Sequence, residues 1–455
     1  MDSERRHAMS HGLNGKELID FLLYENIDEI NKLIQFIHPA DILVAIREYD
    51  GDIINLFHNL SPNVIADIID DADDEEKYNL LSIHSDIMQK KIIHEMSSDE
   101  LVDLLESVSE DETKNIMIKM DKEDVDGVIE LLTYPAESAG GIMATEFISV
   151  KENMTIGDTL GYLQKEAPEA ETSYYIYVVD ENDLLKGVIS LRDIVVSSFD
   201  VKIEDIMNSN AMSIPVDMDQ EEVGHIFEKY GFLIMPVVNE EMKILGIVTA
   251  DDIMEILSDE HTEDLYRLAG LQEDEKVTGS LKASVSSRLP WLFVNLVTAI
   301  LAAATVSLFE GTIQKVVALA TFMPIVAGMG GNAGTQTLTI IIRSIALGEI
   351  DSKNSRKILL KEFGVGLCTG ISVGIAVALL GYFWEKNVIF GVVIGTSMLL
   401  NMMAATISGF AVPVILKKLD IDPALASAVF VTTVTDVLGF FFFLGLATLF
   451  LPFLA

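Results

Sequence analysis

Hydrophobic and polar positions follow three regimes along this chain. Between residues 49 and 132 the pattern repeats every 12 residues. Residues that can open a helix stand at Ser61, Asp73, Ser85, Ser97, Ser109 and Asp121. Seven and eight positions after each come Ile68/Ile69, Leu80/Leu81, Ile92/Ile93, Leu104/Leu105, Ile116/Met117 and Val128/Ile129. Ser97 with Glu100 and Ser109 with Glu112 fit the capping box, in which each residue's side chain satisfies the other's free backbone N–H. One short helix cannot bury its apolar stripe alone. The units are therefore predicted to stack as an all-α superhelical solenoid, a scaffold or binding surface rather than a site of chemistry.

The second regime is a tandem. YVVDENDLLKGVISLRDIV at 177–195 matches MPVVNEEMKILGIVTADDIM at 235–254, at an offset of 59. Gly187 falls on Gly246 and Asp193 on Asp252. Upstream, Gly141-Ile142-Met143 echoes Asp205-Ile206-Met207. Each copy reads strand, helix, two strands, helix.

The third regime is apolar. About 20 apolar residues suffice to cross a bilayer as a helix. Five stretches qualify: Leu289–Phe309, Val316–Leu347, Phe363–Trp384, Val388–Leu416 and Ala424–Ala455. The second, fourth and fifth are long and carry Gly, Pro or polar breaks, which a span accommodates by tilting or kinking. Segments on one side carry Lys276, Lys282, Arg288, Arg343, Lys353, Arg356, Lys357, Lys361, Lys417 and Lys418, against Lys315 and Lys386 on the other. The positive-inside rule then predicts a cytosolic N-terminus and an external C-terminus.

Charge sharpens this division. The formal net charge is −40, although half of the chain is hydrophobic. Residues 276–455 carry a net +4, so residues 1–275 carry −44. Such acidity argues against nucleic acid as a partner, since phosphate binding needs basic surface. It suits cations, although a solubilising role alone is the plainer reading. Cys368 is the only cysteine, which excludes a disulfide framework or a cysteine metal cluster. The first 20 residues hold no apolar core of a secretory signal, so the front half is expected to stay in the cytosol.

Two places concentrate candidate chemistry. Asp251, Asp252, Glu255, Asp259, Glu260, Glu263 and Asp264 crowd one predicted helix just before the first span. Asp252, Glu255 and Asp259 share a face and repel. Oxygen donors without His or Cys suit hard cations such as Mg²⁺ or Ca²⁺, while a solvated helix face explains the same run without a ligand. Asp217, Asp219, Glu221 and Glu222 add to the same module. The fifth span holds Asp436 inside TTVTDVLGFFFF, and the second holds GMGGNAGTQTLT at 328–339. An ionisable residue within a span costs roughly 2.5–3.5 kcal/mol or more, so it defaults to a functional reading.

The tandem resembles a pair of cystathionine-β-synthase-type (CBS) domains, carried by G-[VI]-[IV]-[ST]-x-x-D in both copies. Such pairs often bind adenine nucleotides, and the resemblance points to Tyr175, Arg192 and Asp193 and to ATP. A CBS pair serving only as hinge and dimer surface remains equally open. The whole chain, with GGNAGTQ, the Pro324–Gly328 lead-in and TDVLGF at 435–440, resembles the MgtE-type magnesium transporter/channel family. That resemblance implies a multi-domain architecture: a helical N-terminal domain (1–136), two CBS domains (137–200 and 201–262), a linker with a plug helix (263–288) and an all-α five-helix transmembrane domain (289–455). It further implies a homodimer in the cell membrane with the pore on its two-fold axis. Asp436 is then the pore carboxylate, with Gly328 and Asn332 lining the path. Asp252, Glu260 and Glu263 fall on cytosolic Mg²⁺-sensing positions, and Glu255 replaces an aspartate there. Asp219 and Glu221, Asp422, and Asp99 and Asp103 fall on further such positions. Gly231 stands where the family has a carboxylate.

The expected function is Mg²⁺ conduction, with cytosolic Mg²⁺ bridging acidic domains to favour a closed state. A CBS-gated carrier of another solute and a pore-less nucleotide receptor are the alternatives; ion flux with swapped salts separates them. No phosphate-binding loop, catalytic triad or catalytic metal motif points to an enzyme.

Overall fold

A computed structural model describes residues 15–166, 174–271, 277, 279–350, 354–419, 421–424 and 427–454. The chain divides into two units, Met1–Leu257 and Ser258–Ala455.

In the first unit, α1 (Gly15–Tyr24), α2 (Ile27–Leu33), α3 (Pro39–Arg47) and the single turn α4 (Ile54–Phe57) precede the repeat. The repeat helices are α5 (Pro62–Asp70), α6 (Asp74–Ser82), α7 (Asp86–Glu95), α8 (Ser98–Glu106), α9 (Glu110–Met117) and α10 (Lys122–Leu131). Their N-caps are Ser61, Asp73, Ser85, Ser97, Ser109 and Asp121, the six positions read from the 12-residue period. Both capping boxes form, with Glu100 accepting from the Ser97 N–H at 2.8 Å and Glu112 from the Ser109 N–H at 3.0 Å. Ten of the twelve paired apolar positions are buried. Met117 is half-buried and Ile129 is exposed; both lie in the last two units, where the stack ends.

Two three-stranded sheets follow. β1 (Ser149–Lys151), α11 (Ile156–Glu166), β2 (Tyr175–Val179), β3 (Leu185–Ser190) and α12 (Leu191–Val196) form the first copy. After the single turn α13 (Ile203–Ile206), β4 (Ile214–Pro215), α14 (Gln220–Tyr230), β5 (Ile234–Val238), β6 (Ile244–Thr249) and α15 (Ala250–Leu268) form the second. In each sheet the first strand is parallel to the second, and the second is antiparallel to the third.

The two glycines of the repeat have a non-local reason. A Cβ on Gly187 would lie 2.8 Å from the Asn208 carbonyl oxygen, and one on Gly246 would lie 2.6 Å from that of Ala144. The segment ahead of each copy thus crosses onto the other copy's last strand, as the Ala144–Ile247 and Val188–Asn208 bridges record. Gly231 ends α14 at φ +67°, a left-handed turn that glycine adopts without strain.

The second unit holds the C-terminal part of α15 and five long helices: α16 (Leu281–Ser307), α18 (Ala318–Ala346), α19 (Ser355–Glu385), α20 (Val388–Lys418) and α21 (Ser427–Leu449). The short α17 (Glu310–Lys315) and α22 (Leu451–Leu454) complete it. Four of the long helices are long and apolar enough to cross a membrane. The fifth, α18, has 29 residues, but its Gly-, Asn-, Thr- and Gln-rich segment dilutes its hydropathy. Helix α16 starts at Leu281 and runs through Pro290, so helix occupies the end of the stretch read as linker. Its most apolar window is only 6 % buried, and its main neighbour is α21. Helix α20 is the packing centre, with half of its most apolar window buried and contacts to α18, α19 and α21. Its contact with α19 is close because Gly366, Gly370 and Gly374 recur every four residues, so the backbones approach.

Candidate functional site

Helix α18 has two faces. On one, Gly330 abuts the Asn401 amide and Gly334 abuts Val431. On the other, Gly328 and Asn332 are exposed, and a Cβ on Gly328 or Gly331 would meet nothing within 4 Å. The glycines in GMGGNAG therefore do different work: some admit a neighbouring helix, others leave an open strip beside an amide. Asp436 sits half-buried on α21, one turn before Gly439, which also abuts Asn401. Among the described residues Asp436 has no ion-pair partner.

A second carboxylate in the helical bundle escaped the sequence reading. Glu362 lies in α19, one residue before the apolar stretch Phe363–Trp384, and is 3 % exposed. The Thr337 hydroxyl of α18 donates to its Oε2 at 3.3 Å, and Lys361 Nζ lies 3.2 Å from its Oε1. The signal was present: a charged residue one position outside an apolar window still rides on the same helix.

In the first unit, an acidic cluster joins the solenoid to the second CBS copy, with Glu100 and Asp252 half-buried and Asp70 exposed at its edge. Asp70 ends α5, Glu100 opens α8 and Asp252 opens α15. The carboxyls of Asp70 and Glu100 lie close enough for each to perturb the other. Burial, reinforced by Asp70, pushes Glu100 up to about 9, and burial also raises Asp70. Asp252 is raised by burial although the Thr249 hydroxyl donates to it at 2.5 Å. Lys77, 6 % exposed, is the nearby cation; its Nζ lies 3.7 Å from Asp103. Asp99 accepts from the Ser97 hydroxyl at 2.5 Å. The resemblance had singled out Asp99 and Asp103 for this region; Asp70 and Glu100 are the residues that electrostatics couples most closely there.

The remaining sensing candidates separate by place. Asp219 caps α14, accepting from the Glu221 N–H at 2.9 Å, and Glu221 lies 3.8 Å from His225 Nε2. Glu255 and Glu260 lie along α15. In the second unit, Arg267 bridges Glu263 and Asp422: its Nη1 donates to Asp422 Oδ2 at 2.6 Å, and its Nη2 pairs with Glu263. Burial, then Asp422 and Glu260, push Asp264 up to about 6. Among the described residues no three of His, Cys, Asp and Glu converge as a ready metal cage.

The first CBS copy opens a cleft of about 560 Å³ lined by Tyr174, Tyr175, Ser190, Arg192 and Leu233 among others. A neighbouring cavity of about 380 Å³ adds Tyr177, Asn208, Phe232 and Pro236. Tyr175 belongs to both. Asp193 does not line the 560 Å³ cleft; its carboxylate accepts from the Ser190 hydroxyl at 2.6 Å, the same contact that Thr249 makes to Asp252. Tyr177, buried at the back, carries a hydroxyl without a hydrogen-bond partner.

An acidic front, a paired CBS module and a bundle of long apolar helices that carry Asp436 and Glu362 define a multi-pass membrane protein with an attached regulatory part. The comparisons name its family. A profile described as "Divalent cation transporter" matches residues 323–446. One for the "MgtE intracellular N domain" matches 37–137, and the CBS domain profile matches 139–199 and 203–259. The magnesium transporter MgtE of Thermus thermophilus is 34% identical over 432 residues, 93% of this chain and 95% of that protein. That of Bacillus subtilis is 32% identical over 428 residues, 93% and 94% of the two chains. A crystal structure of the cytosolic domain of the Mg²⁺ channel MgtE in complex with ATP is 34% identical, with a TM-score of 0.50, covering 53% of this chain and 99% of that one. The chain belongs to the MgtE family of divalent cation transporters. That membership places it among transporters rather than enzymes.

Proposed function

We propose that this protein conducts Mg²⁺ across the cell membrane as a homodimer, with two Asp436 carboxylates facing each other across a pore on the two-fold axis. The observation that carries this reading is Asp436 itself, a carboxylate half-buried in an apolar helix with no ion-pair partner among the described residues. Facing lipid, it would cost insertion energy with no return. Facing a symmetry mate, two close anions demand a cation between them or a proton on one. The open strip at Gly328 and Asn332 supplies small residues and an amide for the same path. Mg²⁺ sheds water reluctantly, so carboxylate and amide oxygens that hold its water shell suit it. The names of the Thermus and Bacillus relatives support Mg²⁺ as the cargo.

The acidic front is the sensor in this reading. On the same reading the N-terminus is cytosolic and the C-terminus external, with domains at 1–136, 137–200, 201–262, 263–288 and 289–455. Cytosolic Mg²⁺ binds among Asp252, Glu255, Glu260, Glu263, Asp219, Glu221, Asp422, Asp99 and Asp103. The donor set fits a hard cation: it is all oxygen and partly desolvated, and burial raises Asp252 above its ordinary value. By linkage, the ion shifts the population towards whichever state binds it better, here the closed one. ATP fits the 560 Å³ cleft through Tyr175 and Arg192, with Asp193 at its edge, and the ATP-bound relative supports it.

Liposomes holding the purified chain test the reading. Entry of Mg²⁺ that persists when the anion is exchanged is expected, and it should fall as Mg²⁺ on the cytosolic face rises. Anion-dependent flux, or none, would contradict it.

A further inference from the structure

We propose that Arg267 is a resident stand-in for the divalent cation at the junction between α15 and the loop before α21, and that its displacement sets the cytosolic Mg²⁺ level at which this junction is held. The proposal rests on the sensing function above.

Its basis is the position of the guanidinium. Arg267 reaches Glu263, one turn earlier on its own helix, and Asp422, which is 155 residues further along the chain. Both are carboxylates to which sensing was assigned. Their side chains are 18% and 32% exposed, and that of Arg267 is 32% exposed, so the bridge is partly desolvated. An arginine fork suits two carboxylates at once. It also stays protonated at any physiological pH, so the bridge is not opened by deprotonation.

A bridging Mg²⁺ requires oxygens at about 2.0–2.1 Å. The Asp422 Oδ2 and Glu263 oxygens engaged by the guanidinium cannot ligate an ion at that distance while it remains. The two cations are therefore mutually exclusive on these oxygens. Charge favours exchange: Asp264 and Glu260 stand close enough to perturb the same site, so one positive charge leaves it net negative. A competitor bound to the apo state weakens apparent affinity for the ion that replaces it. The end of α15 also has a contact that needs no charge. Leu268 packs with Leu338, Ile342, Ala424 and Val431, so the junction keeps an apolar dock when Arg267 is substituted.

The test uses the full-length protein and a protease that does not cut at Arg or Lys. Protection of the 255–290 segment is measured against Mg²⁺ concentration. Arg267→Gln is expected to lower the half-protecting concentration several-fold, with Arg267→Lys between it and the wild type. In an Asp422→Asn background the effect of Arg267→Gln should shrink, because the shared partner is gone. A wild-type midpoint that Arg267→Gln leaves unchanged or raises would overturn the proposal and make Arg267 a tether. A wild-type segment cut alike at every Mg²⁺ level would instead remove the sensing function, and this proposal with it.

Discussion

The carboxyl of Glu100, at the start of α8, faces that of Asp70, at the end of α5, closely enough for each to shift the other's titration, with Asp252 beside them. Asp252 of the second CBS copy adds to the repulsion on Asp70, so a proton taken up here relieves strain between the solenoid and the CBS module.

A raised carboxyl pKa favours the folded state in acid. The stabilisation is complete below the ordinary Glu value of 4.5 and is lost as pH climbs towards about 9. Glu100→Gln keeps an N3 residue competent for the capping box and removes the charge. It is expected to stabilise the protein at pH 8 by on the order of 1 kcal/mol and to flatten the stability curve between pH 5 and 9, both read by thermal melting. Unchanged pH dependence would show that the pair does not hold a proton.

Asn401 packs between Gly330 and Gly439, with its Nδ2 donating to the Val326 carbonyl at 2.8 Å and its Oδ1 buried without a hydrogen-bond partner. Gly330→Ala drives a methyl into that amide and should cost about 1–3 kcal/mol. Asn401→Leu has the same branching, loses one bond and also removes the unsatisfied oxygen, so it should fall within about 1 kcal/mol of wild type. Detergent-solubilised melting curves distinguish the two; equal losses would contradict this packing.

Much of this fold was legible because its signals are local. Capping is decided within four residues, so the caps from Ser61 to Asp121 could be read from spacing alone. The offset of 59 gave the strand pairs β2/β5 and β3/β6 because hydrophobic alternation repeats with the copy. What escaped is set by tertiary contact. Nothing near Gly187 or Gly246 in sequence shows that Asn208 and Ala144 press on them. Asp70 and Glu100 are 30 positions apart, and only folding brings them together. Glu362 was missed for a different reason: hydropathy windows stop at charge, whereas helices do not. Arg267 lies outside the acidic run at 251–264, and its bridge depends on where the loop at Asp422 runs.

Base stacking on an aromatic ring contributes roughly 1–3 kcal/mol. If ATP uses the cleft, Tyr175→Ala should weaken it by tenfold or more in calorimetry on the full chain. Tyr177→Phe, which removes only the unpartnered hydroxyl, should bind at least as well and melt no lower. Equal binding by wild type and Tyr175→Ala would move the nucleotide elsewhere.

The most direct measurement is Mg²⁺ uptake into liposomes by Asp436→Asn beside the wild type, at equal incorporation and with matched melting and dimer content. The substitution keeps shape and removes charge. Conduction through a site made by Asp436 requires uptake to fall to the level of empty liposomes, and Asp436→Glu, which moves the charge by one methylene, to retain part of it with altered ion preference. A folded, dimeric Asp436→Asn protein that takes up Mg²⁺ at the wild-type rate would contradict that site.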